Sequence, residues 1–289
     1  MLALPGIAVS MALLVSIGPS AQESALAVTS RARATTPGEV VRLDVRSSVE
    51  LEHLGVSVPW HPVIAFRTGP REWRALVGID LGVAPGEYEA KLDGTTAGGE
   101  HVFASQAIHV DAKEFPTRNL RVAPRFVTPP ASAQARIDRE RMMLGRLFRV
   151  NAPEARWTEP FVVPIAGAVV SGFGVRSVFN NEPRAPHGGA DFASPEGTPV
   201  AAPDAGNVVL AADLYFTGNT VVIDHGVGLQ SLFAHLSRTD VREGDHVARG
   251  QVVGAVGATG RATGPHLHWT VRLNGARVDP LSLIYALEE

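Results

Sequence analysis

Short runs in which apolar and polar residues alternate fill the first third of the chain. Val41, Leu43 and Val45 alternate with Arg42, Asp44 and Arg46; Trp73, Ala75, Val77 and Ile79 repeat the period, and Tyr88, Ala90 and Leu92 do so again after Pro85-Gly86. A period of two places successive side chains on opposite faces, so each run is a half-buried β-strand. Turn signals separate the runs and no long helical period intervenes, which predicts an immunoglobulin-like β-sandwich over residues 28–120. The Cys…Trp…Cys marker of such a core is absent. His53, His61, His101 and His109 have no carboxylate nearby at ligand spacing and are read as structural.

The period changes after Thr128-Pro129-Pro130. Ile137, Met143, Leu144 and Phe148 share one helical face and five arginines between 136 and 149 occupy the remainder, so a connecting helix is expected within a linker of residues 121–160. Its basic face reads as solvated. From Phe161 the chain turns to Gly-rich hairpins, the start of a second β domain over residues 161–289. Glu196-Gly197-x-x-Val200-Ala201 recurs as Glu243-Gly244-x-x-Val247-Ala248, each a Gly turn feeding a strand, as in a duplicated sheet of two similar halves. No lysine or strand-to-helix transition follows Gly254-x-x-Gly257-x-x-Gly260, so tight turns are expected there rather than a phosphate loop. At the other end, Leu2 to Ile17 is apolar apart from Ser10 and Ser16. That falls short of the about 20 residues a bilayer span needs. With Ala25 and Ala27 fitting an A-x-A site, residues 1–27 read as a secretory signal and the mature chain as exported, without a membrane partner.

Composition narrows the chemistry. With 26 basic and 29 acidic residues and a net charge of −3, nothing favours a nucleic-acid partner held by phosphate neutralisation. The chain has no cysteine, which removes thiol nucleophiles, disulfides and cysteine-ligated zinc, and leaves His, Asp and Glu to hold any metal. Six of the ten histidines lie between 187 and 268. In His187-Gly-Gly-Ala-Asp191 the glycines let the backbone bend so that an imidazole and a carboxylate converge. In His266-Leu-His268, which leads into a strand-like Trp269-Thr-Val-Arg-Leu, residues i and i+2 project from one face. Together the two motifs supply three or four N and O ligands. That is the composition of a catalytic zinc site, with two His, one carboxylate and a position left for water.

The segment from Phe161 to Pro280 resembles the lysostaphin-type (LytM-like) zinc endopeptidases that cut peptide bonds in bacterial peptidoglycan. The resemblance is carried by SGFGVR at 171–176, HGGADF at 187–192, EGTPVAAPDAG at 196–206, VVIDHGVGLQSLFAHL at 221–236, VREGDHVARGQVVGAVGATGRATGPHLHW at 241–269 and NGARVDP at 274–280. It implies His187, Asp191 and His268 as ligands of one zinc ion per chain, His235 and His266 as an unligated pair beside it, and peptidoglycan peptides as substrate. No H-E-x-x-H glutamate is available as general base, so histidine must serve, its ordinary pKa of about 6.5 lying near the working pH. His266 is the expected base and proton shuttle and His235 the residue that stabilises the oxyanion or orients water, roles that can be exchanged. Phe173 and Phe233 are the candidate groove residues; Phe173 suits a core role equally well, and Phe233 stands where many members carry Tyr. His225 is expected to be structural and His246 a surface turn residue. Family members that have lost ligands act instead by activating other wall hydrolases, and the filled ligand set here favours the hydrolase. A sugar phosphocarrier with two neighbouring histidines fits less well, since neither a secretory signal nor Asp191 has a place in it.

Overall fold

The alternating runs fold as strands. The computed structural model describes residues 25–149, 152–158 and 160–288, so most of the expected signal segment lies outside the described residues. Seven antiparallel strands come first: β1 (Leu26–Arg31), β2 (Val40–Ser47), β3 (His53–Ser57), β4 (Pro62–Gly69), β5 (Glu72–Gly78), β6 (Gly86–Thr95) and β7 (His101–Val110). They run side by side in the order β1-β2-β5-β4-β3-β6-β7, and β1 comes back close to β7. The path thus curls around a core that includes Leu43, Leu54, Ile79 and Leu92. Leu26 and Ala27, expected to close the signal segment, already pair with Ser47 and Arg46 in β1, because the Leu26 side chain is part of that core.

Two expectations for this half change once strands are paired. His109 sits opposite Glu87 in the β6–β7 hairpin, with Nδ1 2.6 Å from Glu87 Oε1, and His101 Nδ1 lies 2.7 Å from Asp93 Oδ1. Both histidines therefore have carboxylate partners on the neighbouring strand, which sequence spacing alone conceals. The last strand of the expected segment 28–120 also pairs outside the first sheet. β8 (Thr117–Leu120) leaves the first sheet and pairs in parallel with β10 (Arg176–Phe179) of the second half.

Helix α1 (Ala131–Leu147) packs Met143, Leu144, Leu147 and Phe148 against Leu210, Leu214, Val222 and Leu232. Its polar face is partly anchored, since Arg136 reaches Glu140 (2.6 Å) and Asp213 (3.1 Å). The second half consists of β9 (Val169–Ser171), β10, β11 (Glu182–Pro183), β12 (Ala190–Phe192), β13 (Pro199–Ala201), β14 (Gly206–Leu214), β15 (Gly218–Asp224), β16 (Leu229–Thr239), β17 (His246–Val247), β18 (Val252–Val256), β19 (Leu267–Leu273) and β20 (Ala276–Val278). Its main sheet runs β17-β14-β15-β16-β19-β12-β9. Trp269, Phe233, Phe192 and Ile223 are fully buried within it. Gly197 and Gly244, the turn glycines of the sequence repeat, both adopt positive φ (+87° and +94°). The protein is mainly β. Among the described residues no helix is long and apolar enough to cross a membrane.

A last helix, α2 (Pro280–Leu287), follows β20 directly. Asp279 Oδ1 accepts from Leu281 N at 3.0 Å, capping a helix that opens on proline. This end of the chain joins the two halves. Val40 and Leu76 of the first sheet share a core with Val278 and Leu283, Arg277 pairs with Asp80 at 2.6 Å, and Arg33 pairs with Asp279 at 2.7 Å.

Candidate metal centre

Strand β12 lies between β9 and β19 and sets Asp191 directly opposite His268 on one side and Ser171 on the other. A Cβ at Gly189 would come 2.2 Å from the Trp269 carbonyl oxygen, whereas one at Gly188 meets open space. Neither glycine has positive φ. The motif therefore needs glycine for close approach of two backbones at one position, not for the bend read from the sequence.

Three side chains converge there. His187 Nε2 lies 3.0 Å from Asp191 Oδ1 and 2.9 Å from His268 Nδ1, and His268 Nδ1 lies 2.8 Å from the same carboxylate oxygen. The outward ring nitrogens are anchored: His187 Nδ1 faces the Gly172 carbonyl at 2.9 Å, and His268 Nε2 faces Thr270 Oγ1 at 2.8 Å. A carbonyl only accepts, so His187 carries its proton on Nδ1 and turns a lone pair inward. Thr270 can accept from His268 Nε2 in the same way. Anchoring of this kind fixes the tautomer and aim of a metal-binding imidazole.

The charge balance suits a cation. Burial depresses His268, while His187, also buried, is held up by Asp191. Burial opposes charge on Asp191 too, yet the His187 and His268 rings beside it hold it far below the usual carboxylate range. An ionised oxygen and two imidazole lone pairs facing one another repel unless a positive charge stands among them. Edges of 2.8–3.0 Å are short enough for one ion to reach all three atoms at zinc–ligand distances of about 2.0–2.2 Å. The donor set of two imidazoles and a carboxylate fits zinc.

Residues 185–280 match the model of peptidase family M23. A crystal structure assigned to peptidase M23 from Pseudomonas aeruginosa is 38% identical in sequence and superimposes with a TM-score of 0.68, covering 88% of this chain and 96% of that one. The chain belongs to peptidase family M23. A 97-residue segment is 46% identical to the DD-carboxypeptidase/endopeptidase Mpg of Neisseria meningitidis, covering 34% of this chain and 22% of that protein. The peptidoglycan DD-endopeptidase ShyA of Vibrio cholerae is 45% identical over 97 residues, or 34% and 23% of the two chains. The match thus spans about a fifth of the length of these curated relatives.

Two more histidines of this M23 chain stand beside the cluster. The His235 ring is centred 4.8 Å from that of His266 and 6.0 Å from that of His268, and His266 Nε2 lies 3.9 Å from Asp191 Oδ1. His235 Nδ1 faces the Thr259 carbonyl and His266 Nδ1 the Gly264 carbonyl, each at 2.8 Å. Both rings therefore keep Nε2 as the basic nitrogen. Burial, reinforced by His268 and His266, pushes His235 down to about 3, so it is neutral at pH 7. Its backbone is in the left-handed region at φ +63°, a strained state for a non-glycine residue of the kind that collects at functional sites.

A cleft of about 300 Å³ opens over the five residues, walled by Phe179, Phe216, Arg118 and Arg261. The expected groove residues lie elsewhere. Phe173 is buried and packs edge-on against Phe115, and Phe233 is fully buried in the sheet core. Phe179 and Phe216 take the wall positions. Their signal in the sequence is an aromatic residue next to turn-forming Asn180-Asn181 and Thr217-Gly218. Thr270 is legible only as the residue two places beyond His268 on the same strand face. His225 is structural, buried between the Ala205 carbonyl and Ser231 Oγ. His246 is exposed on β17 beside Asn207.

Proposed function

We propose that the protein is an exported zinc metalloendopeptidase that hydrolyses peptide cross-links or stem peptides of bacterial peptidoglycan. The observation that carries the reading is the meeting of His187 Nε2, His268 Nδ1 and Asp191 Oδ1 at 2.8–3.0 Å under an open cleft. Membership of M23 and the peptidoglycan DD-endopeptidase ShyA support the substrate class. The first half is read as the immunoglobulin-like unit and the second as the duplicated hybrid sheet, with the first positioning the cleft wall through the segment that leads into β8.

His187, Asp191 and His268 would hold the zinc. When bound, zinc supplies Lewis acidity toward a carbonyl oxygen and lowers the pKa of water toward about 7. His266 Nε2 takes the proton of the attacking water and returns it to the leaving amine. His235, kept neutral by burial with its lone pair on Nε2, accepts a hydrogen bond from that water and orients it. Donation by His235 to an oxyanion would require a second ring proton, which burial opposes.

Zinc-loaded wild type and His187→Ala are incubated with purified sacculi and the released fragments identified by mass spectrometry. Cleavage at one peptide bond by the wild type alone is expected. Equal background release from both would instead favour a non-catalytic activator of other wall hydrolases.

A further inference from the structure

Arg261 occupies an unusual position in the cleft wall. It lies in the loop between β18 and β19, five residues before His266, and its backbone N–H donates to the Phe216 carbonyl at 2.8 Å. Its guanidinium stacks between two rings, 4.8 Å from the centre of Phe216 and 5.1 Å from that of Phe179. Burial, with Arg184 nearby, lowers its pKa. Arg184 has its own carboxylate, Glu182, at 2.7 Å, whereas Arg261 has none among the described residues. The guanidinium of Arg118, the other cation of the wall, donates to the Val170 carbonyl at 3.5 Å and pairs with no carboxylate among the described residues.

Among the described residues Asp191 is the single carboxylate lining this cleft, and it faces the histidines. The rest of the wall is therefore positive, although residues 161–289 carry eight basic against twelve acidic side chains. Stacking fixes the plane of a guanidinium and leaves its N–H edge free for bidentate pairing with a carboxylate. A partly buried cation without an anion is costly, and the cleft opening is where an anion can arrive.

We propose that Arg261 is the specificity-determining residue of the cleft, binding a free carboxylate carried by the peptide substrate beside the scissile bond. The inference rests on the peptidase reading above. It is tested with a cross-linked muropeptide dimer and the same dimer amidated at its carboxylates. For zinc-loaded wild type, amidation is expected to raise KM at least tenfold. Arg261→Met should treat acid and amide alike, while Arg261→Lys should keep part of the preference. A residue that only held the loop would lower kcat on both dimers and leave their ratio unchanged. Equal handling of the two dimers by the wild type, or full preference retained in Arg261→Met, overturns the proposal. Zinc-loaded wild type that cleaves neither dimer overturns the peptidase reading and this inference with it.

Discussion

His187 Nε2 and His268 Nδ1 stand 2.9 Å apart although 81 positions separate them in the chain. Two imidazole nitrogens brought this close beside an ionised Asp191 are the atoms proposed above to hold zinc. His187→Ala and His268→Ala are each expected to reduce bound zinc from one per chain to below about a tenth after dialysis, the loss of one ligand in three. Elemental analysis checks it; stoichiometric zinc in either variant would contradict the assignment.

Thr270 touches none of the converging atoms, yet its hydroxyl fixes the His268 ring from behind at 2.8 Å. Thr270→Val should weaken zinc binding by about 10- to 100-fold, measured by competition with a chelator, and Thr270→Ser should restore it.

His235 and His266 should separate from the three proposed ligands by phenotype. Alanine at either position is expected to keep stoichiometric zinc while kcat falls by about 10²- to 10⁴-fold. Loss of metal together with activity would mean that the residue is a ligand.

The two glycines after His187 are expected to behave differently. Gly189→Ala forces a methyl against the Trp269 carbonyl, which should cost about 2 kcal/mol or more and lower the melting temperature by several degrees. Gly188→Ala, with open space around it, should fall within about 1 kcal/mol of wild type. Thermal unfolding of the two variants side by side decides the point.

His225 gives stability a pH dependence of known sign. Burial pushes its pKa down to about 4, so as pH falls below the ordinary value of about 6.5 the unfolded chain gains the proton first. Its contribution is complete above pH 6.5 and is lost as pH drops toward 4, by about 3 kcal/mol. Denaturant midpoints at pH 7.5, 5.5 and 4.5 should fall less steeply for His225→Asn than for wild type.

The parts of the molecule legible in the sequence are those governed by local rules. Alternation located β2, β5 and β6, because every second residue of each strand enters the first core, even though Val40 and Leu76 on the opposite face are buried against the second half. The i, i+2 spacing of His266 and His268 put both rings at one site, and the helical period through Ile137, Met143 and Leu144 found α1. What escaped depends on long-range pairing. Phe173 resembled a groove residue because only the folded chain brings Phe115 against it. The transfer of β8 to the second half, the carboxylate opposite His109 and the stacking of Arg261 between Phe179 and Phe216 likewise join residues that no local pattern connects. Helix α2 was missed because its eight residues are too short to display a period, although Asp279-Pro280 is a legible start signal.

The cleft is assembled from two stretches of the chain. Its histidines and Asp191 fall within residues 185–280, the segment that the family model matches, while Arg118, Leu120, Val122, Val170 and Phe179 come from chain that precedes it. The stretch that walls the cleft is therefore not a neutral rim: residues 169–179 also carry the Gly172 carbonyl that aims His187 and the Ser171 that flanks Asp191, so any change that reshapes the entrance is felt by the three converging side chains.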